Sequence, residues 1–128
     1  MPKTITKLHV DESNKQVSWV SNGSIVIKTF SGEVFAYLID ELDEVLILAD
    51  SKFDGPENLF IYNGDGGERL NPAMPTLNNP VDGIYSIWFV KGLMKQEVIL
   101  LSEEYSPYDT GCTFDLETGD FSNFHPSK

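Results

Sequence analysis

Two loops of this sequence combine acidic with aromatic side chains. Tyrosine is common at the energetic centres of protein interfaces, and carboxylates complement a positively charged surface. We therefore predict that both loops contact a partner. The predicted contact residues are Glu103, Glu104, Tyr105, Tyr108 and Asp109 in one loop, and Asp50, Phe53, Asp54 and Glu57 in the other. The alternative is that Tyr105 and Tyr108 only pack over the edge of a sheet.

Residue types that usually perform catalysis are few and scattered. His9 and His125 are the two histidines and lie near opposite ends of the chain, with no motif that supplies a partner for either. Cys112 follows Gly111 at the start of an apolar stretch and carries no nucleophile signature, so we expect a small buried side chain. No catalytic residue is predicted, and the chain is expected not to be an enzyme.

The acidic and glycine-rich loops are also candidates for metal binding and phosphate binding. The stretches 50–58 and 63–68 lack the alternating acids, the glycine at the sixth place and the glutamate at the twelfth place of a calcium loop. The cluster 64–67 is not followed by the lysine of a phosphate-binding loop. We predict no metal and no cofactor, and weak, irregular calcium binding remains an alternative to solvated turns.

The elements that carry these loops are predicted to be β-strands. Residues 16–20 and 24–30 are rich in β-branched and aromatic residues and flank Asn22-Gly23, which is typical of a tight hairpin. Residues 33–39 and the apolar run 45–49 are further strands, and the acidic run 40–44 between them reads as a solvated turn without a positive partner nearby. No stretch keeps a helical period over three turns, so little or no helix is expected.

The strands recur as three related units. In each unit a strand that contains Val17, Val45 or Val98 leads through a variable loop to a second strand. A glycine turn followed by an acid, at Gly32-Glu33, Gly67-Glu68 or Gly119-Asp120, then leads to a third strand. Length differences fall in the loop between the first two strands, and such insertions usually lie on one face of a repeat protein. The two acidic loops occupy this same place, so we expect them to project from one edge.

This pattern resembles the blades of a β-propeller, which are four-stranded antiparallel meanders. The sequence contains neither the WD dipeptide nor the glycine pair of kelch repeats. We predict one all-β domain over residues 1–128, an antiparallel meander of about ten strands in three blade-like repeats at roughly 4–40, 43–72 and 83–124. Residues 33–39 are also a candidate first strand of the second repeat. The sheet is expected to be open or partly closed, and a barrel is an alternative.

Composition narrows the class of partner. Twenty acidic and nine basic side chains give a formal charge of −11, which repels nucleic acids and anionic membranes at long range and attracts a cationic partner. The alternative is that the charge only maintains solubility. One cysteine allows no internal disulfide, and residues 1–7 carry lysines without a following apolar run, so a cytoplasmic location is expected.

In size, acidity and lack of catalytic motifs, the chain is similar to small bacterial immunity proteins. That resemblance implies an antitoxin that masks a basic toxin. One alternative is a small-ligand or glycan-binding module that stacks a sugar on Trp19 or Trp88. Another is an enzyme of unfamiliar type that brings His9 and His125 together with an acid. A scaffold, as a monomer or as a homodimer paired through sheet edges, is the last alternative.

Overall fold

The computed structural model describes residues 4–127, which form three antiparallel sheets. The first sheet contains β1 (Ile5–Val10), β2 (Gln16–Ser21) and β3 (Ser24–Thr29). The second contains β4 (Phe35–Ile39), β5 (Glu44–Leu48), β6 (Leu59–Asn63) and β7 (Glu68–Leu70). The third contains β8 (Val81–Trp88), β9 (Lys95–Ser102), β10 (Asp109–Asp115) and β11 (Phe121–Ser127). One short helix, α1 (Ser51–Asp54), lies between β5 and β6.

The all-β prediction is confirmed, and the sheets are meanders in a blade-like arrangement without a closed barrel among residues 4–127. In this part of the chain, no helix is long and apolar enough to cross a membrane. The strand at residues 35–39 pairs with β5 and not with β3, so the first unit ends before Phe35 rather than near residue 40. Met1, Pro2 and Lys3, which belong to the N-terminal segment considered above, lie outside the described residues.

The predicted hairpin between β2 and β3 is confirmed. Asn22 and Gly23 form its two-residue turn, and both have positive φ angles, of 50° and 81°. This geometry matches the right-handed twist of the flanking strands, and asparagine and glycine adopt it at low cost. Ser21 therefore pairs with Ser24, and the register continues to Gln16 opposite Thr29.

The second sheet is the middle layer of the molecule, because its strand β5 is buried on both faces. Leu46 and Leu48 pack toward the third sheet, in a core that includes Ile84, Val98 and Phe114. Val45 and Ile47 point the other way and pack with residues of the first sheet, among them Val17 and Trp19. A strand covered on both faces reads as a continuous apolar run, which is why residues 45–49 show no alternation.

The acidic run at residues 40–44 is less solvated than we expected. Glu44 is buried, and its carboxylate accepts hydrogen bonds from Nε of Arg69 at 2.7 and 2.8 Å. Arg69 also donates to the carbonyl oxygens of Leu116 and Glu117, so this ion pair ties the middle sheet to the β10–β11 turn. Burial is the main cause of a raised pKa at Glu44, and the Arg69 guanidinium opposes it. The expectation of a solvated turn was wrong at Glu44, because a positive partner that is distant in sequence, Arg69, meets it in the fold.

Asn58 joins the middle sheet to the third sheet. Its side chain is fully buried, and Nδ2 donates to the carbonyl oxygens of Ala49 at 2.7 Å and Ile84 at 2.9 Å. Its Oδ1 accepts from the backbone N–H of Ile84 at 2.9 Å. The amide thus occupies the place that a neighbouring strand would take against the outer edge of β8. Buried backbone groups require such partners, since an unpaired one costs about 1–3 kcal/mol.

Replacing Asn58 with alanine should lower the free energy of unfolding by about 3 kcal/mol or more, because the N–H and C=O groups of Ile84 and the C=O of Ala49 lose their partners. Urea denaturation measures this loss. Asn71→Ala is the matched control: the Asn71 amide also donates two hydrogen bonds, to Glu57 and Leu59, at a less buried place. A loss at Asn58 no larger than at Asn71 would contradict the assigned role.

Candidate functional site

The two loops predicted to contact a partner lie along one edge of the molecule. A groove beside α1 is lined by Asp50 from the first loop and by Tyr85 and Leu101 from the third sheet. A second groove is lined by Leu101, Glu103 and Asp109. Since Leu101 lines both grooves, they adjoin. We call the surface formed by residues 50–57, 81–85 and 101–109 the loop edge.

The first groove, here named the aromatic groove, lies between the middle and third sheets and has a volume of about 300 Å³. Leu48 and Ile84, both buried, contribute apolar lining. Phe35 and Tyr85 also line it and are 61% and 68% exposed. Large aromatic side chains that are this exposed are typical of an interaction surface, because covering them with a partner removes apolar area from water.

The second groove, here named the acidic groove, is lined by three carboxylates: those of Asp82, Glu103 and Asp109. Its volume is about 470 Å³, and no lysine or arginine of residues 4–127 is among its lining residues. All three acids are exposed. Carboxylates gathered without a neutralising cation produce a negative potential, which favours a guanidinium or ammonium group of a partner.

A close contact between α1 and β8 holds the aromatic groove in shape. Gly83 has a φ of 133°, and a Cβ at this position would lie 2.7 Å from Cβ of Ser51. The β8–β9 register is irregular on both sides of Ile84, so Ile84 and Ile87 are both buried although three residues apart. Tyr85 is thereby turned outward. Our residue predictions missed Tyr85, although the three-residue spacing of the isoleucines was a visible sign of a bulge.

Two of the predicted acids in the first loop serve the fold itself. Asp50 is the N-cap of α1, and its Oδ1 accepts from the backbone N–H of Lys52 at 2.9 Å. Asp54 accepts from the backbone N–H groups of Ser31 at 3.1 Å and Gly32 at 3.2 Å. These bonds fasten the loop to the segment before β4, so both carboxylates mainly position their neighbours.

Two residues of the second loop are also committed to internal contacts. Oε1 of Glu104 accepts from the backbone N–H of Asn79 at 2.7 Å, and Oε2 accepts from the side chain of Asn78. The Asn79 N–H is the largest of several causes that lower the pKa of Glu104 below the ordinary glutamate value. The Tyr105 hydroxyl donates to the carbonyl oxygen of Phe124 at 3.2 Å. For Tyr105, the alternative of packing over the sheet edge therefore describes the structure well.

The other predicted contact residues are exposed along the loop edge: Phe53, Glu57, Glu103, Tyr108 and Asp109. The structure adds Glu33, Phe35, Asp82 and Tyr85, which line the two grooves. These four were missed because they lie on strands or in a connection outside the two variable loops.

The other candidate residues from the sequence analysis lie outside the loop edge. Trp19 is buried and its Nε1 donates to the carbonyl oxygen of Gly64, so the proposed stacking of a sugar on Trp19 is wrong, whereas Trp88 is 78% exposed. Cys112 is fully buried, and burial is the main cause that raises its pKa to about 12. His9 is in the first sheet and His125 is in the third, where Nε2 lies 2.9 Å from Oε1 of Glu97.

Comparisons with known proteins give a likeness of fold. No protein-family model matches the chain, and no curated protein matches it. A chain from the structure of Tne2 in complex with Tni2 superposes with a TM-score of 0.62. The aligned residues are 14% identical and cover 89% of this chain and 78% of that chain. The likeness extends over most of both chains and shows a shared fold.

The contrast between Glu103 and Glu104 gives a direct test of the site geometry. The Asn79 amide resonance should shift with pH, with a midpoint below the ordinary glutamate value of 4.5, because the Asn79 N–H stabilises the Glu104 carboxylate. Stability from these bonds is complete above 4.5 and is lost as the pH falls through the lowered pKa. NMR titration should show the shift abolished in Glu104→Ala and retained in Glu103→Ala. A midpoint at or above 4.5 would contradict the geometry.

Proposed function

We propose that this chain is a non-enzymatic cytoplasmic binding protein, and specifically an immunity protein that masks a basic toxin. The observation that carries the proposal is the junction of the aromatic and acidic grooves at Leu101. Exposed rings supply apolar area next to carboxylates, and this combination fits a protein surface on which basic side chains surround an apolar anchor.

The mechanism is steric and electrostatic masking. The negative field of the chain speeds the encounter, and the acidic groove orients a cationic side chain of the toxin. Phe53, Tyr85 and Tyr108 then cover apolar surface beside it and slow dissociation, because buried aromatic contacts dominate the dissociation rate of such interfaces. The toxin's functional surface is blocked while the complex lasts.

The likeness of fold supports the proposal at a coarser level. The similar chain belongs to a structure in which one protein, Tne2, is in complex with another, Tni2. A role in a complex with a different protein is consistent with that setting. The kind of partner is inferred from the chemistry of the loop edge, because a sequence identity of 14% shows a shared fold alone.

A glycan-binding role is the second candidate, and the exposure of Trp88 favours it. The Trp88 ring lines a shallow groove together with Ser86 and Glu97, which offers a stacking platform beside polar groups. Quenching of the protein's tryptophan fluorescence by a soluble glycan, absent in Trp88→Ala, which keeps the buried Trp19, would support this candidate over the toxin partner.

A rescue assay tests the leading proposal. The reading frame adjacent to this gene is expressed in a susceptible host, and colonies are counted with and without this protein. We expect the neighbour to kill and this protein to restore growth. A harmless neighbour, or killing that this protein does not relieve, would contradict the proposal.

The placement of the contact surface has its own prediction. Glu103→Lys combined with Asp109→Lys should slow association with the toxin on the order of tenfold and weaken its dependence on salt, because both changes reverse charge in the acidic groove. Stopped-flow or surface binding kinetics at several salt concentrations measure both effects.

The matched control is Glu117→Lys combined with Asp120→Lys. It makes the same change in net charge in the β10–β11 turn, at the other end of β10 from the acidic groove, and both residues are exposed. If the control slows association as much as the loop-edge pair, the total charge is responsible and the acidic groove is not the contact surface.

A further inference from the structure

The first sheet has one strand fewer than its two counterparts. The second and third sheets each contain four consecutive strands, whereas the first ends at β3. Within residues 4–127, β3 pairs with β2 and with no other strand. The outer edge of β3 therefore occupies the position at which the other two meanders add a last strand, β7 or β11.

Backbone groups of β3 alternate between β2 and this open edge. Ser21 and Ser24 flank the two-residue turn, and at the far end the N–H of Phe30 donates to the carbonyl of Lys15 at 2.8 Å. In an antiparallel ladder, alternate residues exchange both bonds with the partner strand. Residues 24, 26 and 28 thus bond to β2. The N–H and C=O groups of Ile25, Ile27 and Thr29 face outward.

The same residues expose apolar side chains. Ile25 is 70% exposed and Ile27 is 55% exposed, and both lie on the face opposite Val26, which packs toward the core between the first and second sheets. Long, apolar edge strands are a hazard that proteins usually blunt with proline, a bulge or charge. The segment 24–29 contains no proline, its pairing with β2 has no break in register, and its one charge, Lys28, lies over the Tyr62 ring on the inner side.

Charge selects what pairs with this edge. The strands β1, β2 and β3 contain no aspartate or glutamate, although the chain has twenty acids against nine basic residues. The basic partner proposed above is attracted to the loop edge and gains nothing from a strand that contains no acid. A second copy of the chain, which acidic surfaces would repel elsewhere, meets the least repulsion here.

We propose that two copies of this chain form a dimer by antiparallel pairing of their β3 edges across a two-fold axis. This interface is separate from the loop edge and does not depend on the toxin partner.

The outward backbone groups fix the register. Pairing Ile27 of one copy with Ile27 of the other puts Ile25 opposite Thr29, so that every outward N–H and C=O of the three residues finds a partner. The Ile27 side chains meet on the axis, and a six-stranded sheet results, since each copy contributes β1, β2 and β3.

Light scattering coupled to size-exclusion chromatography tests this interface on the whole protein. Wild type should have about twice the chain mass of 14.3 kDa, and Ile25→Lys combined with Ile27→Lys should have the mass of one chain. Leu93→Lys is the control, because Leu93 is similarly exposed in a turn of the third sheet, and it should remain dimeric. A monomeric wild type at concentrations up to about 100 µM, or open-ended oligomers, would overturn the proposal.

Cross-linking gives a second readout that does not rely on disrupting the edge. Directly paired residues in this register have Cα atoms about 5.5 Å apart, within disulfide range. Under mild oxidation, Ile27→Cys should form a covalent dimer, whereas Leu93→Cys should not. The native Cys112 is buried and does not compete. Equal cross-linking of both variants, or none at residue 27, would reject this pairing.

Discussion

The buried amide of Asn58 is the contact on which the arrangement of the loop edge depends. A sheet edge cannot be buried unless its backbone groups find partners, and at β8 the amide of Asn58 meets both groups of Ile84 while also holding Ala49. One side chain thus replaces a strand at the seam between two sheets. The aromatic groove lies along this seam: Phe35 and Asp50 come from one side, and Tyr85 and Leu101 from the other. Its two walls are held by this hydrogen-bonded junction together with the close contact between α1 and Gly83.

Much of the fold could be predicted from the sequence, because β-strands and tight turns are specified by residues that are close together in the chain. The Asn22-Gly23 turn and the apolar run at residues 45–49 identified their elements directly. Contacts between units were not predictable in this way. Nothing in the sequence near Glu44 indicated that Arg69 would form an ion pair with it. The sequence also did not distinguish Trp19 from Trp88, although Trp19 is buried in the core between the first and second sheets. Such outcomes depend on which residues meet across sheets, and local residue patterns do not show that.

In the candidate site, too, local features could be predicted from the sequence and the contacts of individual residues could not. Variable loops were recognisable by comparing the repeats, and the structure brings the two loops to one edge. Within them, composition did not separate acids that hold the fold from acids that face solvent. Glu103 and Glu104 are adjacent and chemically identical, yet Glu104 is bonded to Asn79 while Glu103 lines the acidic groove. Alternation along an irregular loop is set by its internal hydrogen bonds, so their roles could be assigned only from the structure.

The molecule thus presents a negatively charged, aromatic edge and, on another sheet, an apolar edge without acids. The central claim is that a different, basic protein binds at the former. Hydrogen–deuterium exchange of this protein alone and with the product of the adjacent reading frame tests that claim most directly. We predict slower exchange at residues 50–57, 81–85 and 101–109 in the complex, with unchanged exchange in the β10–β11 turn. Protection confined to other segments, with the loop edge unaffected, would contradict the account.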